Sequence, residues 1–334
     1  MIKKEFFGIS KEGKEIFKYI IKNNKYEVCI LDYGATVLSF KILDKSVDIA
    51  LGYDSLIEYE ENSAFMGATI GRCANRIDKG KFTLNNVNYQ LSVKADEHLH
   101  GGKGFDKKVW QTDIKGENML TMRYISFNGE EGYCGTVVVI CAFLLEEKGL
   151  KISFFAESDL DTIVNLTNHI YFNLKGEGSI LDDYLMINSD LYMPINDKIV
   201  PTGEIKSVTN TPFDFREYKK IGDVINNTEL TEIGGFDHNF ILSKCGANMS
   251  LVAKVKNEHS GIELIISSSQ PSMQLYTANK LNEKGKGNHF YKSHSGLCIE
   301  PQFPPNAINF PYLKSPVLKK GEIYEQSIEY KIVT

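Results

Sequence analysis

The sequence predicts an all-β protein, a large antiparallel β-sandwich with few short helices, and three observations carry that prediction. β-Branched and aromatic residues recur in short alternating runs, the signature of half-buried strands. Turn signals rich in Gly, Asn, Asp and Ser interrupt those runs at short intervals along most of the chain. No helical pattern alternates with the strands, which disfavours a parallel βαβ architecture. The 334 residues could form two domains, but sandwiches and barrels routinely exceed the usual domain size. No linker, repeat or low-complexity tract divides the chain, so residues 1–334 read as one domain.

Taken in order, residues 26–31 and 36–42 are strands of β-branched and aromatic character, with Asp32-Tyr-Gly-Ala35 as the turn between them. Residues 54–61 are a short helix candidate. Residues 81–93 alternate around Asn85-Asn86, a hairpin signal. The clearest hairpin runs from 136–145 through Glu146-Glu-Lys-Gly149 into 150–155. Residues 217–221 are the second short helix candidate, and strand patterns resume at 240–242, 250–255, 262–267 and 273–277.

With 42% hydrophobic residues the chain can bury a sizeable core. A net charge of -5 and a pI near 5.9, with Lys and Arg scattered, give no reason to expect a nucleic-acid partner. The opening Met1-Ile-Lys-Lys-Glu-Phe-Phe-Gly8 contains no sustained apolar run, and no segment reaches transmembrane length. The expectation is a cytoplasmic protein without a signal peptide or membrane partner. Six cysteines (Cys29, Cys73, Cys134, Cys141, Cys245 and Cys298) lack paired spacing. Those in apolar runs, Cys29, Cys141 and Cys298, read as buried thiols.

The segment Asn165-Leu-Thr-Asn-His-Ile-Tyr-Phe-Asn-Leu174 is the most informative for function. On a strand, Asn165, Thr167, His169, Tyr171 and Asn173 would share one side, opposite a nearly all-apolar one. Neutral hydrogen-bonding groups around a single histidine suit a wall against a polyhydroxylated ligand. They suit equally a buried polar strand whose groups satisfy one another. The histidine could give or take a proton near neutrality.

In Leu297-Cys-Ile-Glu-Pro-Gln302, an extended chain puts Cys298, Glu300 and Gln302 on one face. A glutamate in such company is either paired structurally or catalytic. In Glu97-His-Leu-His-Gly-Gly-Lys-Gly-Phe105, His98 and His100 would share a strand face at a metal-ligand spacing. No later carboxylate or cysteine pair completes a ligand set, so no metal is expected. The glycines point to a sharp bend or to backbone approaching a ligand. In Gly71-Arg-Cys-Ala-Asn-Arg-Ile77, Asn75 and Arg76 offer donors for sugar hydroxyls, or the stretch is a turn with two surface arginines. Asp237, in Gly234-Gly-Phe-Asp-His-Asn239, could accept paired hydroxyls or merely close a turn. Gln274 and Tyr276 share a strand face and could line the same cleft.

Together these blocks resemble the aldose 1-epimerases, the galactose mutarotases, over almost the whole chain. The resemblance rests on Asp32-Tyr-Gly-Ala-Thr36, Leu51-Gly-Tyr-Asp54, Ile70-Gly-Arg-Cys-Ala-Asn-Arg-Ile77, Leu99-His-Gly-Gly102 and Gly104-Phe105. It continues through Glu131-Gly-Tyr133, Asn165-Leu-Thr-Asn-His169, Tyr171-Phe-Asn-Leu174, Pro201-Thr-Gly-Glu204 and Thr211-Pro-Phe-Asp-Phe-Arg216. Phe236-Asp-His-Asn239, Gln274-Leu-Tyr-Thr277 and Ile299-Glu300 complete it. Cys134, Ile170 and Pro301 depart from the residues usual in the family.

The resemblance implies a galactose mutarotase-like β-supersandwich that binds one small-molecule aldose without cofactor; the sequence leaves the oligomeric state open, with a monomer or homodimer as the expectation. It implies Glu300 as base and His169 as acid. His100, Asn75, Arg76, Asp237 and Gln274 would hold the sugar, with Tyr276 beside them; His98 inherits no role. The open cleft leads to the expectation that Glu300 raises the pKa of His169. The competing readings are a hexose-6-phosphate epimerase using Arg72, Lys103 or Lys107, a non-catalytic sugar-binding module, and a glycosidase pairing Glu300 with Asp237.

Overall fold

The computed structural model describes residues 1–61, 63–94, 96–243 and 249–334; Cys245 lies outside them. Among these residues the three largest sheets have nine, five and five strands. The chain is all-β, and its described α-helices are Leu56–Glu61 and Ile221–Val224.

The nine-stranded sheet is antiparallel and contains the hairpin Val137–Glu146 and Gly149–Ser158 as its third and fourth strands. Along Val137–Glu146 every second residue is buried, from Val137 to Leu145, as a half-buried strand requires. The next neighbour is Ile323–Val333, whose pairing with Gly149–Ser158 closes the centre of the sheet with the chain terminus. The alternation of this strand is interrupted in sequence by Gln326, which takes a position on its buried face.

The N-terminal sheet runs Lys3–Ile9, Glu15–Lys22, Tyr26–Leu31, Thr36–Ile42, Val47–Asp48 in consecutive order. The second five-stranded sheet has the order Lys206–Ser207, Leu191–Met193, Asp237–Ile241, Ser272–Tyr276, Cys298–Gln302. All three sheets contribute to one apolar core, for example Val28 and Phe40, Phe143 and Phe154, and Met273 and Ile299.

Two local expectations change. Residues 217–221 do not form the second helix, because Lys219–Lys220 pair with Tyr184 and Leu185 as an edge strand and the helix begins only at Ile221. Nor is the stretch from Asn165 to Leu174 a continuous strand. Only Thr167–Asn168 form a ladder, and the remaining contacts are single bridges to three different segments. The amide side chains explain this: Asn165 bonds the backbone of Phe303 on both sides, and Asn173 donates to the carbonyls of Gly178 and Ser295. The decapeptide is a buried strut between sheets, not an open polar wall.

A lysine fastens the N-terminal sheet to the loop that precedes Cys298–Gln302. Lys286 Nζ donates to the carbonyls of Leu38 and Ala50, both at 2.9 Å, and to Asp48 Oδ2 at 2.7 Å. Lys286→Met would leave the half-buried Asp48 carboxylate without its cation. It should cost about 2–3 kcal/mol, read as a lower denaturant midpoint at unchanged m-value. A midpoint equal to wild type would show that the clamp contributes nothing.

Candidate active site

The site grows out of one register. Ser272–Tyr276 pairs with Cys298–Gln302 so that Gln274 lies opposite Glu300 and Tyr276 opposite Cys298. On its other edge Tyr276 faces Asp237. Met273, Leu275 and Ile299 point into the core, so alternation sends Asp237, Tyr276 and Glu300 to the other face. That face floors a cleft of about 370 Å³ whose lining includes Asn75, Arg76, His100, His169, Asp237 and Glu300.

His169 is brought to this floor by the strut. Its N–H donates to the carbonyl of Ala68 and its own carbonyl accepts from Gly67 N–H, both at 2.9 Å. Nε2 then stands 3.7 Å from Glu300 Oε1, while Cys298 Sγ lies 3.5 Å from Nδ1. Tyr171 stacks on the ring at 5.1 Å between centroids, and its hydroxyl donates to the carbonyl of Ala64.

His100 arrives by a different route from the one the strand pattern implies. The strand Glu97–Leu99 ends one residue before it, and His100 adopts a left-handed φ of 52°. The two histidines therefore do not share a face. His98 is buried between the carbonyl of Ser92 and the hydroxyl of Tyr133, while His100 turns into the cleft. Asn75, also left-handed at φ 61°, locks it: Asn75 N–H donates to His100 Nδ1 at 3.2 Å, and His100 N–H donates to the Asn75 carbonyl at 3.0 Å. The following glycines serve this bend rather than a ligand. A Cβ on Gly101 would sit 2.0 Å from the Gly71 carbonyl oxygen.

Arg76 reaches the cleft from the strand Arg76–Asp78, with Nε donating to Glu97 Oε2 at 3.2 Å and NH1 3.6 Å from Asp237 Oδ2. Gln274, opposite Glu300 on the same face, donates from Nε2 to Asp237 Oδ1 at 2.7 Å. Arg72 is no surface arginine. It is 1% exposed and spans the carbonyls of Cys134 and Gly135 and the hydroxyl of Ser126. Phe65, whose ring lies 4.6 Å from that of His100, went unnoticed in the sequence. Its left-handed φ of 55° leaves no signal in residue type.

Burial governs the electrostatics. Glu300 is 1% exposed; burial, and then the nearby Asp237 charge, raise its pKa well above the carboxylate range, with Arg76 partly opposing. Its Oε2 has no hydrogen-bond partner among the described residues. The expectation that His169 would be raised is overturned: burial pushes it down to about 4. The ring is 4% exposed, so water cannot solvate the imidazolium as an open cleft would allow. His100 is lowered well below its ordinary value, first by burial and then by His169, Arg76 and His98.

His100, His169 and Glu300 each offer an atom within 4.8 Å of the others, a grouping of metal-ligand type that the spacing of His98 and His100 did not anticipate. The hydrogen bond from Asn75 bears on it. A neutral imidazole that accepts at Nδ1 carries its proton on Nε2, so His100 presents a donor there and not a lone pair.

Comparison with known proteins shows the family. The family described as Aldose 1-epimerase matches residues 18–331. A galactose mutarotase of Bos taurus is 37% identical over 323 residues, covering 94% of this chain and 93% of that protein. An aldose 1-epimerase of Escherichia coli is 32% identical over 338 residues, covering 98% of each. Among solved structures, an aldose epimerase homologue from C. elegans superposes with a TM-score of 0.88 at 30% identity, covering 94% of this chain and 98% of that one. A galactose 1-epimerase from Lactobacillus acidophilus gives the same TM-score at 28% identity, covering 100% and 98%. The chain belongs to the aldose 1-epimerase family.

Proposed function

We propose that the protein is an aldose 1-epimerase that interconverts the α- and β-anomers of free hexoses such as D-galactose and D-glucose. The observation that carries the mechanism is the 3.7 Å separation of His169 Nε2 and Glu300 Oε1 at the cleft floor. The C1 hydroxyl oxygen and the ring oxygen are bonded to the same carbon. An acid and a base that serve both must therefore stand only a few ångströms apart. Glu300 takes the C1 hydroxyl proton while His169 gives a proton to the ring oxygen. The C1–O5 bond breaks, the aldehyde rotates about C1–C2, and the same two groups run the steps backwards on the other face. Each contributes typically about 10²–10⁴-fold. Arg76, Asn75 and Asp237 hold hydroxyls, Tyr276 lines the wall, Gln274 orients Asp237, and His100 donates from Nε2 to the ring oxygen or a neighbour.

The empty pair favours one shared proton, resting on Glu300. The productive arrangement, Glu300 ionised with His169 protonated, has the same proton count, so binding needs only to move that proton across the pair. Sugar hydroxyls then supply the carboxylate with the hydrogen bonds it lacks. The limbs of the pH profile belong to the pair. Protonation of His169 forms the acidic limb, and loss of the last proton from raised Glu300 forms the alkaline one.

The glycosidase reading is less favoured because Asp237 is engaged by Gln274 and Arg76. A 6-phosphate clamp is less favoured because Arg72 is buried elsewhere and Lys107 bonds the Tyr59 carbonyl and Asp106. The proposal extends to one domain over residues 1–334, to a cytoplasmic location, and to a monomer or homodimer. The core shared by the three large sheets supports the single domain. Among the described residues no helix is long and apolar enough to cross a membrane.

Polarimetry of freshly dissolved α-D-galactose and α-D-glucose should show mutarotation accelerated by the protein, and no acceleration of either would end the proposal. A side-chain mechanism should survive exhaustive chelation; loss of activity restored by one divalent metal would instead place an ion at His100, His169 and Glu300.

Glu300→Gln should lose activity by at least about 10²-fold. It should also melt higher than wild type near neutral pH. A carboxyl with a raised folded pKa withdraws stability as pH rises above its unfolded value of 4.5. The gain should vanish below that value, and a variant equally destabilised at all pH values would contradict the burial account.

In wild type the rate should fall at alkaline pH. In His169→Asn, where Glu300 must work alone as a base, the residual rate should instead rise with pH. An unchanged alkaline fall in that variant would move the acid role to His100.

A further inference from the structure

Glu97 has no part in the chemistry described so far, yet the fold couples it to the sugar-holding arginine. The strands Glu97–Leu99 and Arg76–Asp78 pair with Leu99 opposite Arg76 and Glu97 opposite Asp78. Glu97 is therefore the diagonal neighbour of Arg76 on the same face, within reach of a long side chain. His98, the next residue after Glu97, points the other way and is buried against Tyr133. The diagonal becomes a bond: Arg76 Nε donates to Glu97 Oε2 at 3.2 Å, with the two side chains 12% and 21% exposed. On its far side the same guanidinium faces Asp237 Oδ2 at 3.6 Å, and Asp237 in turn accepts from Gln274.

A guanidinium has five N–H donors in a rigid plane. Held at Nε by one carboxylate and flanked at NH1 by another, it cannot swing, and its remaining hydrogens are left for a ligand in the cleft. We propose that Glu97 is a positioning residue for sugar binding, which fixes the guanidinium of Arg76 through Nε and balances its charge beside Asp237. This rests on the reading of Arg76 as a sugar-holding residue.

Charge balance reaches the reacting pair as well. Glu300 faces Asp237, Arg76 and His169, with Tyr171, Cys298 and Tyr330 close by. Asp237 raises it and Arg76 lowers it. Removing the negative charge of Glu97 leaves Arg76 less compensated. Anions nearby are then favoured and cations disfavoured, so both limbs of the rate profile move to lower pH.

Glu97→Ala, Glu97→Gln, Arg76→Ala and the double variant Arg76→Ala/Glu97→Ala separate geometry from charge. The readouts are polarimetric KM and kcat for galactose across pH, galactose affinity by calorimetry, and melting temperature. Glu97→Ala should raise KM roughly tenfold with a much smaller change in kcat, the scale of one charge-assisted hydrogen bond. Gln at this position still accepts from Nε. Glu97→Gln should therefore keep KM near wild type while shifting the pH profile downward, as Ala also does. In the Arg76→Ala background Glu97→Ala should add nothing, because its effect passes through the arginine. The proposal is overturned if Glu97→Ala leaves KM and the pH profile at wild-type values. It is equally overturned if both variants merely lower the melting temperature, or if the Ala effect adds in full to that of Arg76→Ala. Calorimetry keeps this distinct from the mutarotase reading. Affinity that depends on Glu97 in a protein without turnover would sink that reading and leave the positioning role standing.

Discussion

The exclusion of water from Glu300 is the constraint on which the rest of the site depends. A buried carboxylate on the edge strand Cys298–Gln302, with one oxygen lacking any hydrogen-bond partner among the described residues, is costly to ionise. The fold tolerates it by placing the imidazole of His169 3.7 Å away, where one proton can serve both groups. The same dryness that lifts the carboxyl depresses the imidazole, so both reach the substrate with proton affinities displaced toward each other's task. A sugar hydroxyl that meets this pair replaces a missing hydrogen bond and receives a base stronger than any solvated carboxylate.

Holding that geometry costs backbone strain. Phe65, Asn75 and His100 all take left-handed φ values and line the cleft; asparagine tolerates that conformation, while for Phe65 and His100 it is roughly 1–2 kcal/mol unfavourable. What offsets them lies elsewhere, in the core shared by the three large sheets and in polar clamps such as the buried Arg72 and the half-buried Lys286. Arg72 secures the segment from Gly71 to Ile77 from behind, so that Asn75 and Arg76 meet the cleft at a defined height. The stable, low-strain parts of the molecule and the reacting groups are thus separate in space but joined through short rigid segments.

The charges around the cleft suit a neutral polyol. The cations among its lining residues are Arg76 and Lys280, and Arg76 is already faced by Glu97 and Asp237. Donors and acceptors are presented side by side, as a ring of hydroxyls that both give and accept hydrogen bonds requires. Tyr171 and Phe65 supply apolar surface against the two histidines, which limits water near the reacting centre and holds the imidazole planes.

Strand patterning and residue chemistry determined much of this from sequence alone. The period-two alternation of the 136–155 hairpin and the Asn85-Asn86 turn are local properties, and they stand in the structure where the chain places them. The facing of Cys298 with Glu300, and of Gln274 with Tyr276, also follows from alternation within a single strand. Tertiary structure decided what alternation cannot encode. The strut from Asn165 to Leu174 reads as a strand, yet its asparagines bond to distant loops, so only His169 and Tyr171 of its polar residues reach the cleft. His98 and His100 look equivalent until a left-handed φ parts them. The direction of the His169 shift depends on how much water reaches the ring, a property of residues far away in sequence that close around it. Local periodicity is written in consecutive residues, whereas burial, strain and the partner of a charge are set by segments that meet only when the chain has folded.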